Sequence, residues 1–433
     1  MRILRFLSFL FLILILATSF NVTPHVFANY DSDIPLDIQK YAEGTGLEKF
    51  KELVLEDPTG YGFQNADEVK KASLGHGFQV HLLDSEKFKN ASSSLIEVSK
   101  PTGQYEFIIL SRGEAKSFLT VEKSEKGIRV VLIGGDATRI GKSLDTINSA
   151  LSKDHKPILV KDGIIRYLVT KVNEKEVNVP DVPTEKNLGI SRMDNNNVWD
   201  SDQTIKHLKK VQAERVNPDA DGTGPYPIVQ SNVVNEGINH FNISNTSLAA
   251  QVFTSSNKLK SYPIKQQEKS NWCWAASSTS ILKFKGINVD QCDFVKHVKS
   301  TTTCNNVTAN VKEAQSGMHD YGLSSKYYKG NLSVTQVQDQ IDEGNPIYVS
   351  WGWKTGGGHA IVIYGYNGTL DPNNWYIKYM DPWDGIKTTM EYENFKGGTG
   401  YDRTWRWGLK DFNLIDPASP VNPTSPTNLS NSY

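Results

Sequence analysis

The sequence predicts an α+β protein with two folded parts, one over residues 29–175 and one over 258–416, joined by a polar segment over 176–257. Three observations carry this reading. Between Tyr41 and Val172, runs rich in β-branched and aromatic residues alternate with turn signals and one helical pattern. From Asn173 to Asn257 the composition shifts to Asn, Asp, Pro and Gly, and apolar periodicity is lost. Beyond Lys258, helical segments alternate again with strand-like runs.

In chain order, Arg2 and Arg5 precede an apolar run from Phe6 to Leu16, and Val26-Phe27-Ala28 fits a small-x-small cleavage site. The run is shorter than the ~20 residues that a spanning helix needs. Residues 1–28 therefore read as a secretory leader, with the secreted chain beginning near Asn29 and carrying no stable membrane anchor. No cysteine occurs before position 273, which excludes a lipid-anchored leader. Strands are expected at Phe78–Asp84, 105–110, 117–123, 128–135 and 164–172. A helix is expected over 141–152 through Leu144, Ile147 and Leu151. Gly134-Gly135 reads as a strand-end turn, because the rest of a phosphate-binding fingerprint is missing. Within the polar segment, 204–216 reads as an exposed helix. The Pro/Ser/Asn-rich stretch 417–433 reads as a disordered tail.

Composition narrows the function. Lys plus Arg is 47 against 48 Asp plus Glu, a net charge of -1 that excludes a strongly basic nucleic-acid binder. The mean hydropathy of -0.43 excludes a polytopic membrane protein. The three cysteines, Cys273, Cys292 and Cys304, are too few for a disulfide-built scaffold. They cluster with all the tryptophans except Trp199, so the chemistry is expected in the C-terminal part.

Trp272-Cys273-Trp274-Ala275-Ala276-Ser277 opens a helix that Gly286 is placed to end. A cysteine in a first helical turn faces unpaired N–H groups and the positive end of the helix dipole, both of which favour thiolate, the nucleophilic form. On this motif alone, a buried packing cysteine remains an alternative. Gly356-Gly357-Gly358-His359-Ala360 then leads into the apolar run Ile361–Tyr366. This places a histidine, whose pKa lies near working pH, at a strand start beside open backbone. A satisfied core histidine is the bland alternative. The alternation from Tyr376 to Asp381 describes a third strand, ending in the turn Asp381-Pro382-Trp383-Asp384-Gly385. There Asp381 can orient an imidazole, or simply form a turn before proline. Ser333 and Gln336 form a capping box for a helix through Val337 and Ile341, closed by Gly344. A strand at 347–351 follows, and Trp351 and Trp353 read as core or cleft-wall residues.

Together these pieces resemble the papain-like cysteine peptidases. Within them, the closest likeness is to the bacterial branch with a WCWAA nucleophile motif, the effector type of plant-pathogenic bacteria. The resemblance runs from about Ile264 to Leu409. It implies a two-lobed catalytic domain with the nucleophile helix packed on an antiparallel sheet, and a triad of Cys273, His359 and Asp381. It also implies Gln267, six residues before Cys273, as the oxyanion-hole glutamine. HAIVIYGY, from His359 to Tyr366, matches the family's histidine strand, and Trp383 keeps the expected distance from Asp381. Pro382 departs from the usual small polar residue, and no cysteine lies just upstream of the nucleophile. The triad requires Cys273 to be free, which assigns Cys292 and Cys304 to one disulfide. No cofactor or metal is called for.

The reading that follows is a secreted cysteine endopeptidase made as a zymogen. Its partners would be a protein or peptide substrate and its own 29–175 propeptide-like domain as an intramolecular inhibitor, with processing in the polar segment. A same-fold transglutaminase or cell-wall amidase would use the same triad. A secreted binding module carrying a degenerate peptidase domain is the non-enzymatic alternative.

Overall fold

The computed structural model describes residues 34–90, 93–125, 127–151, 155–181, 195–215, 255–368 and 375–416. The leader, the stretch 216–254 and the tail 417–433 lie outside the described residues.

The N-terminal part opens with α1 (Leu36–Tyr41), a π-helical turn, and α2 (Leu47–Leu55), whose Phe50, Leu53 and Val54 form one buried stripe. After α3 (Ala66–Lys70) come β1 (Ser73–Leu83), the short α4 (Ser85–Lys89), β2 (Ser99–Ser111), β3 (Glu114–Ser124) and β4 (Gly127–Gly134). The β2–β3 hairpin turns on Arg112 and Gly113, both at positive φ, as a two-residue loop matching strand twist requires. Helix α5 (Thr138–Ala150) leads to β5 (Ile158–Asp162), β6 (Ile165–Val172) and β7 (Lys175–Pro180).

Strand β2 reads as continuous hydrophobicity because both of its faces are covered. Phe107 and Ile109 pack with Phe50 and Val54 of α2. Ile108 and Leu110 pack with Ile140, Leu144 and Ile147 of α5 on the other side.

The polar segment is more ordered than its composition suggests. Residues 175–180 pair with β6 as β7, and β8 (Trp199–Asp200) pairs with β7 in turn. Helix α6 (Ser201–Arg215) overlaps the helix expected over 204–216, but it is not an exposed one, since its Ile205 and Leu208 are buried in an apolar cluster. It is also tied down by the buried Asn178, whose Nδ2 donates to Thr204 Oγ1 at 2.9 Å.

The C-terminal part places helices beside an antiparallel sheet. Strand β9 (Ser255–Lys258) precedes α7 (Cys273–Phe284), α8 (Gln291–Val298) and α9 (Val311–Asp320). Then come β10 (Leu323–Lys329), α10 (Val334–Asp342), β11 (Ile347–Trp353), β12 (Gly358–Gly368), β13 (Tyr376–Asp381), β14 (Ile386–Glu391), α11 (Tyr392–Lys396) and β15 (Arg403–Leu414). The Ser333 capping box is formed, and Gly286 and Gly344 follow their helices at positive φ.

The two parts share one sheet, ordered β10-β15-β11-β12-β13-β14-β4-β3-β2-β1-β5-β6-β7-β8 among the described residues. The seam is β14 against β4, with Thr388, Thr389 and Met390 paired to Gly134, Ile133 and Leu132. Both faces of β13 are covered. Lys378 is buried with its Nζ 2.6 Å from Glu56, and Lys387 is buried with its Nζ 2.8 Å from Asp57. Tyr61 bonds Thr389 at 2.5 Å, and Lys49 donates to the Tyr376 hydroxyl at 2.7 Å. The N-terminal helices and their following loop thus cover one of these faces.

Candidate active site

Helix α7 begins at Cys273, so the cysteine's backbone N–H belongs to the first turn, which has no intrahelical acceptors. One turn later, Ser277 donates to the carbonyl of Ala360 at 3.1 Å. That bond fixes the helix face bearing Cys273 against the start of β12, where His359 stands. Cys273 is half-buried and free of disulfide bonding.

His359 is 3% exposed and pairs with Trp351 across the β11–β12 ladder. Gly358 is required beside it, because a Cβ there would lie 2.6 Å from the Trp351 carbonyl oxygen. The Trp353 ring stacks on the imidazole at a centroid distance of 6.2 Å. His359 Nε2 lies 2.7 Å from Asp381 Oδ1, and Cys273 is near enough to the same ring to influence its charge. With Nε2 on the carboxylate, Nδ1 is left for the sulfur.

Asp381 ends β13, and its Oδ1 also accepts the Trp383 backbone N–H at 2.9 Å. Trp383 itself is buried against this turn. Burial raises the Asp381 carboxyl, but the charge and hydrogen bond of His359 outweigh it and hold the group below the usual carboxylate value. Burial likewise opposes the imidazolium, yet Asp381 and Cys273 together push His359 up to about 10. Cys273, His359 and Asp381 are therefore brought together around one imidazole.

Gln267 lies close to this group without facing it openly. Its backbone N–H donates to Pro382 O at 2.8 Å, which lays the segment before α7 against the Asp381 turn. Its side-chain Nε2 donates to the carbonyls of Lys269 at 2.9 Å and Ser270 at 2.7 Å. Gln267 Oε1 is buried with no partner among the described residues. The neighbouring Gln266 is exposed and donates to Trp383 O at 3.3 Å.

Cys292 and Cys304 are bonded to each other. The loop after Cys304 holds the residues flanking Cys273, which sequence reading missed. Trp272 Nε1 donates to Asn305 O at 2.9 Å, and Trp274 Nε1 donates to Val307 O at 3.1 Å. The Asn271 N–H reaches Asn306 Oδ1 at 2.9 Å, and Asn306 Nδ2 donates to Ser270 Oγ at 2.7 Å. The Asn305-Asn306 pair beside Cys304 was the available signal, since asparagine commonly bonds nearby backbone.

The N-terminal part also reaches the site. The turn between β5 and β6 puts Gly163 against the Trp353 ring, and Ile164 packs against the C-terminal core. Among the described residues, no group of three His, Cys, Asp or Glu side chains could hold a metal ion.

Comparison with curated proteins gives no match. The family model described as papain-like cysteine protease AvrRpt2 matches residues 256–398, so the C-terminal part of the chain is similar to the papain-like cysteine peptidases of bacterial effector type.

Proposed function

We propose that the protein is a secreted cysteine endopeptidase made as a zymogen. The observation that carries this is the 2.7 Å contact between His359 Nε2 and Asp381 Oδ1, with the Cys273 thiol on the other side of the same ring. Asp381 fixes the imidazole so that Nδ1 takes the thiol proton. The sulfur then attacks the scissile carbonyl, and His359 returns the proton to the departing amine. Water, deprotonated by the same imidazole, hydrolyses the thioester. The Cys273 backbone N–H, unpaired at the helix start, is one donor for the oxyanion. The Gln267 amide is the second, and it serves by exchanging one of its two backbone carbonyls for the substrate oxygen.

Residues 1–28 direct export in this reading, and processing falls within the polar segment 176–257. The N-terminal domain acts as intramolecular inhibitor. Supporting this, Gly163 lies against the Trp353 wall of the site and Ile164 packs against the C-terminal core, while Cys273 itself stays half-buried. Intact protein from Asn29 is expected to be nearly inactive on an unstructured protein substrate, and protein cut within about Ile228 to Lys265 to be active. Equal activity before and after cutting would remove the zymogen reading. Activity that survives Cys273→Ala would remove the peptidase reading.

A further inference from the structure

The turn Asp381–Gly385 is held from three directions. On one side, Asp381 Oδ1 meets His359 Nε2 at 2.7 Å. On the second, Gln267 N donates to Pro382 O at 2.8 Å, and Gln266 Nε2 donates to Trp383 O at 3.3 Å. Gly385, at φ +64°, sits so close to Gln266 that a Cβ on it would lie 2.6 Å from the Gln266 Cβ. The third hold comes from the N-terminal part. Arg139 Nη2 donates to Asp384 Oδ1, and the Asp136 backbone N–H donates to Asp384 Oδ2 at 3.2 Å. The Arg139 guanidinium also lies 5.9 Å from the Trp383 ring centroid.

Arg139 is itself fixed from behind by a chain of buried charges. Its Nε donates to Asp181 Oδ1 at 3.0 Å, and Arg166 Nε donates to Asp181 Oδ2 at 2.7 Å. Arg166 and Lys161 both pair with the buried Glu106, Lys161 at 2.6 Å. A guanidinium fork can hold two carboxylates in a set geometry, which a lysine ammonium cannot. Burial pushes the Asp384 carboxyl up, and Arg139 is the strongest influence opposing it. Removing Arg139 would leave a buried carboxylate without its cation, a costly state that the turn escapes only by moving or protonating.

We propose that Arg139 is a positioning residue for the Cys273, His359 and Asp381 site. Through Asp384 it fixes the turn that presents Asp381 to His359 and anchors the Gln267 segment. The inference rests on the peptidase reading and adds to it. The N-terminal part that sets Gly163 against Trp353 thus also braces the turn that carries Asp381.

The test measures the rate at which iodoacetamide alkylates Cys273 in the full chain from Asn29 at pH 6, read by peptide mapping. This rate reports how well the imidazole activates the sulfur and needs no turnover. Wild-type Cys273 should react much faster than a small free thiol, and Arg139→Gln should slow it about tenfold. Arg139→Lys should recover part of the loss. Arg129→Gln cuts another cross-seam ion pair, to Glu391, without touching the turn, and should leave the rate unchanged. If Arg139→Gln fails to fold, Asp384→Asn carries the test, because it keeps the side-chain size while weakening the same link. A fast wild-type rate with wild-type rates in Arg139→Gln and Asp384→Asn would overturn the positioning role and leave the peptidase reading standing. Equal losses in Arg139→Gln and Arg129→Gln would reduce Arg139 to a docking contact. A wild-type rate no faster than the free thiol would overturn both readings.

Discussion

Gln267 is the residue whose sequence role and structural setting pull apart. The resemblance to papain-like peptidases implies an oxyanion donor there, yet both N–H groups of its amide are engaged by the Lys269 and Ser270 carbonyls. If it exchanges one of these for the substrate oxyanion, Gln267→Ala lowers kcat by roughly 10²–10³ with little change in KM. If its task is only to brace the Lys269–Ser270 backbone, the loss appears in Tm and leaves kcat nearly intact. The His359 and Asp381 pair makes a second prediction. His359 is raised to about 10 from an ordinary value of ~6.5, so its stabilisation is complete below ~6.5 and disappears as pH rises through about 10. Asp381 is held below its ordinary ~3.9, so its stabilisation is present above that pH and disappears on further acidification. The Tm difference between wild type and His359→Ala should therefore be greatest between about pH 4 and 6.5. A difference that grows towards pH 10 would contradict the assignment. Cys273, His359 and Asp381 were legible because each ends or begins an element with its own local signature. Arg139 was not, since nothing near it in sequence indicates a carboxylate 245 residues away.

At the scale of elements, helix α7 and strands β11, β12 and β13 could be read from caps, glycines and apolar runs. The loop that secures α7 could not. Residues 304–307 have no periodicity, and their work consists of backbone carbonyls accepting the Trp272 and Trp274 indoles. The Cys292–Cys304 bond fixes the start of that loop. Cys304→Ser should lower stability by about 3 kcal/mol at most for a loop of this length. It should also lower activity beyond what the lost stability explains, because both tryptophans flank the nucleophile. A full loss of Tm with unchanged kcat/KM in the folded fraction would show that the loop supports the fold but not the site.

On the scale of the whole molecule, the sequence divides the chain into parts but hides how they join. Lys378 and Lys387 look like solvent-facing positions of ordinary strands. They are instead buried partners of Glu56 and Asp57 across the β14–β4 seam. A strand pattern cannot distinguish a face covered by water from one covered by a distant segment that supplies matching carboxylates. Without the N-terminal part, β14 would become an open edge and two lysines would lose their partners. Protein cut within about Ile228 to Lys265 should therefore elute as a single complex of both fragments at moderate salt, since a paired strand edge and buried ion pairs are screened far less than surface charges. Separation of the fragments under native conditions would mean that the seam does not outlast the covalent link.

The central claim is that Cys273 is the nucleophile of a peptidase. It is tested most directly by treating the cut, active protein with a thiol-directed epoxide of the peptidyl type and mapping the modified residue. The account predicts one label per chain, on Cys273, with hydrolysis of an unstructured protein substrate lost in proportion to labelling and absent in Cys273→Ala. Hydrolysis that persists after complete labelling of Cys273, or a label found instead on Cys292 or Cys304, would contradict it.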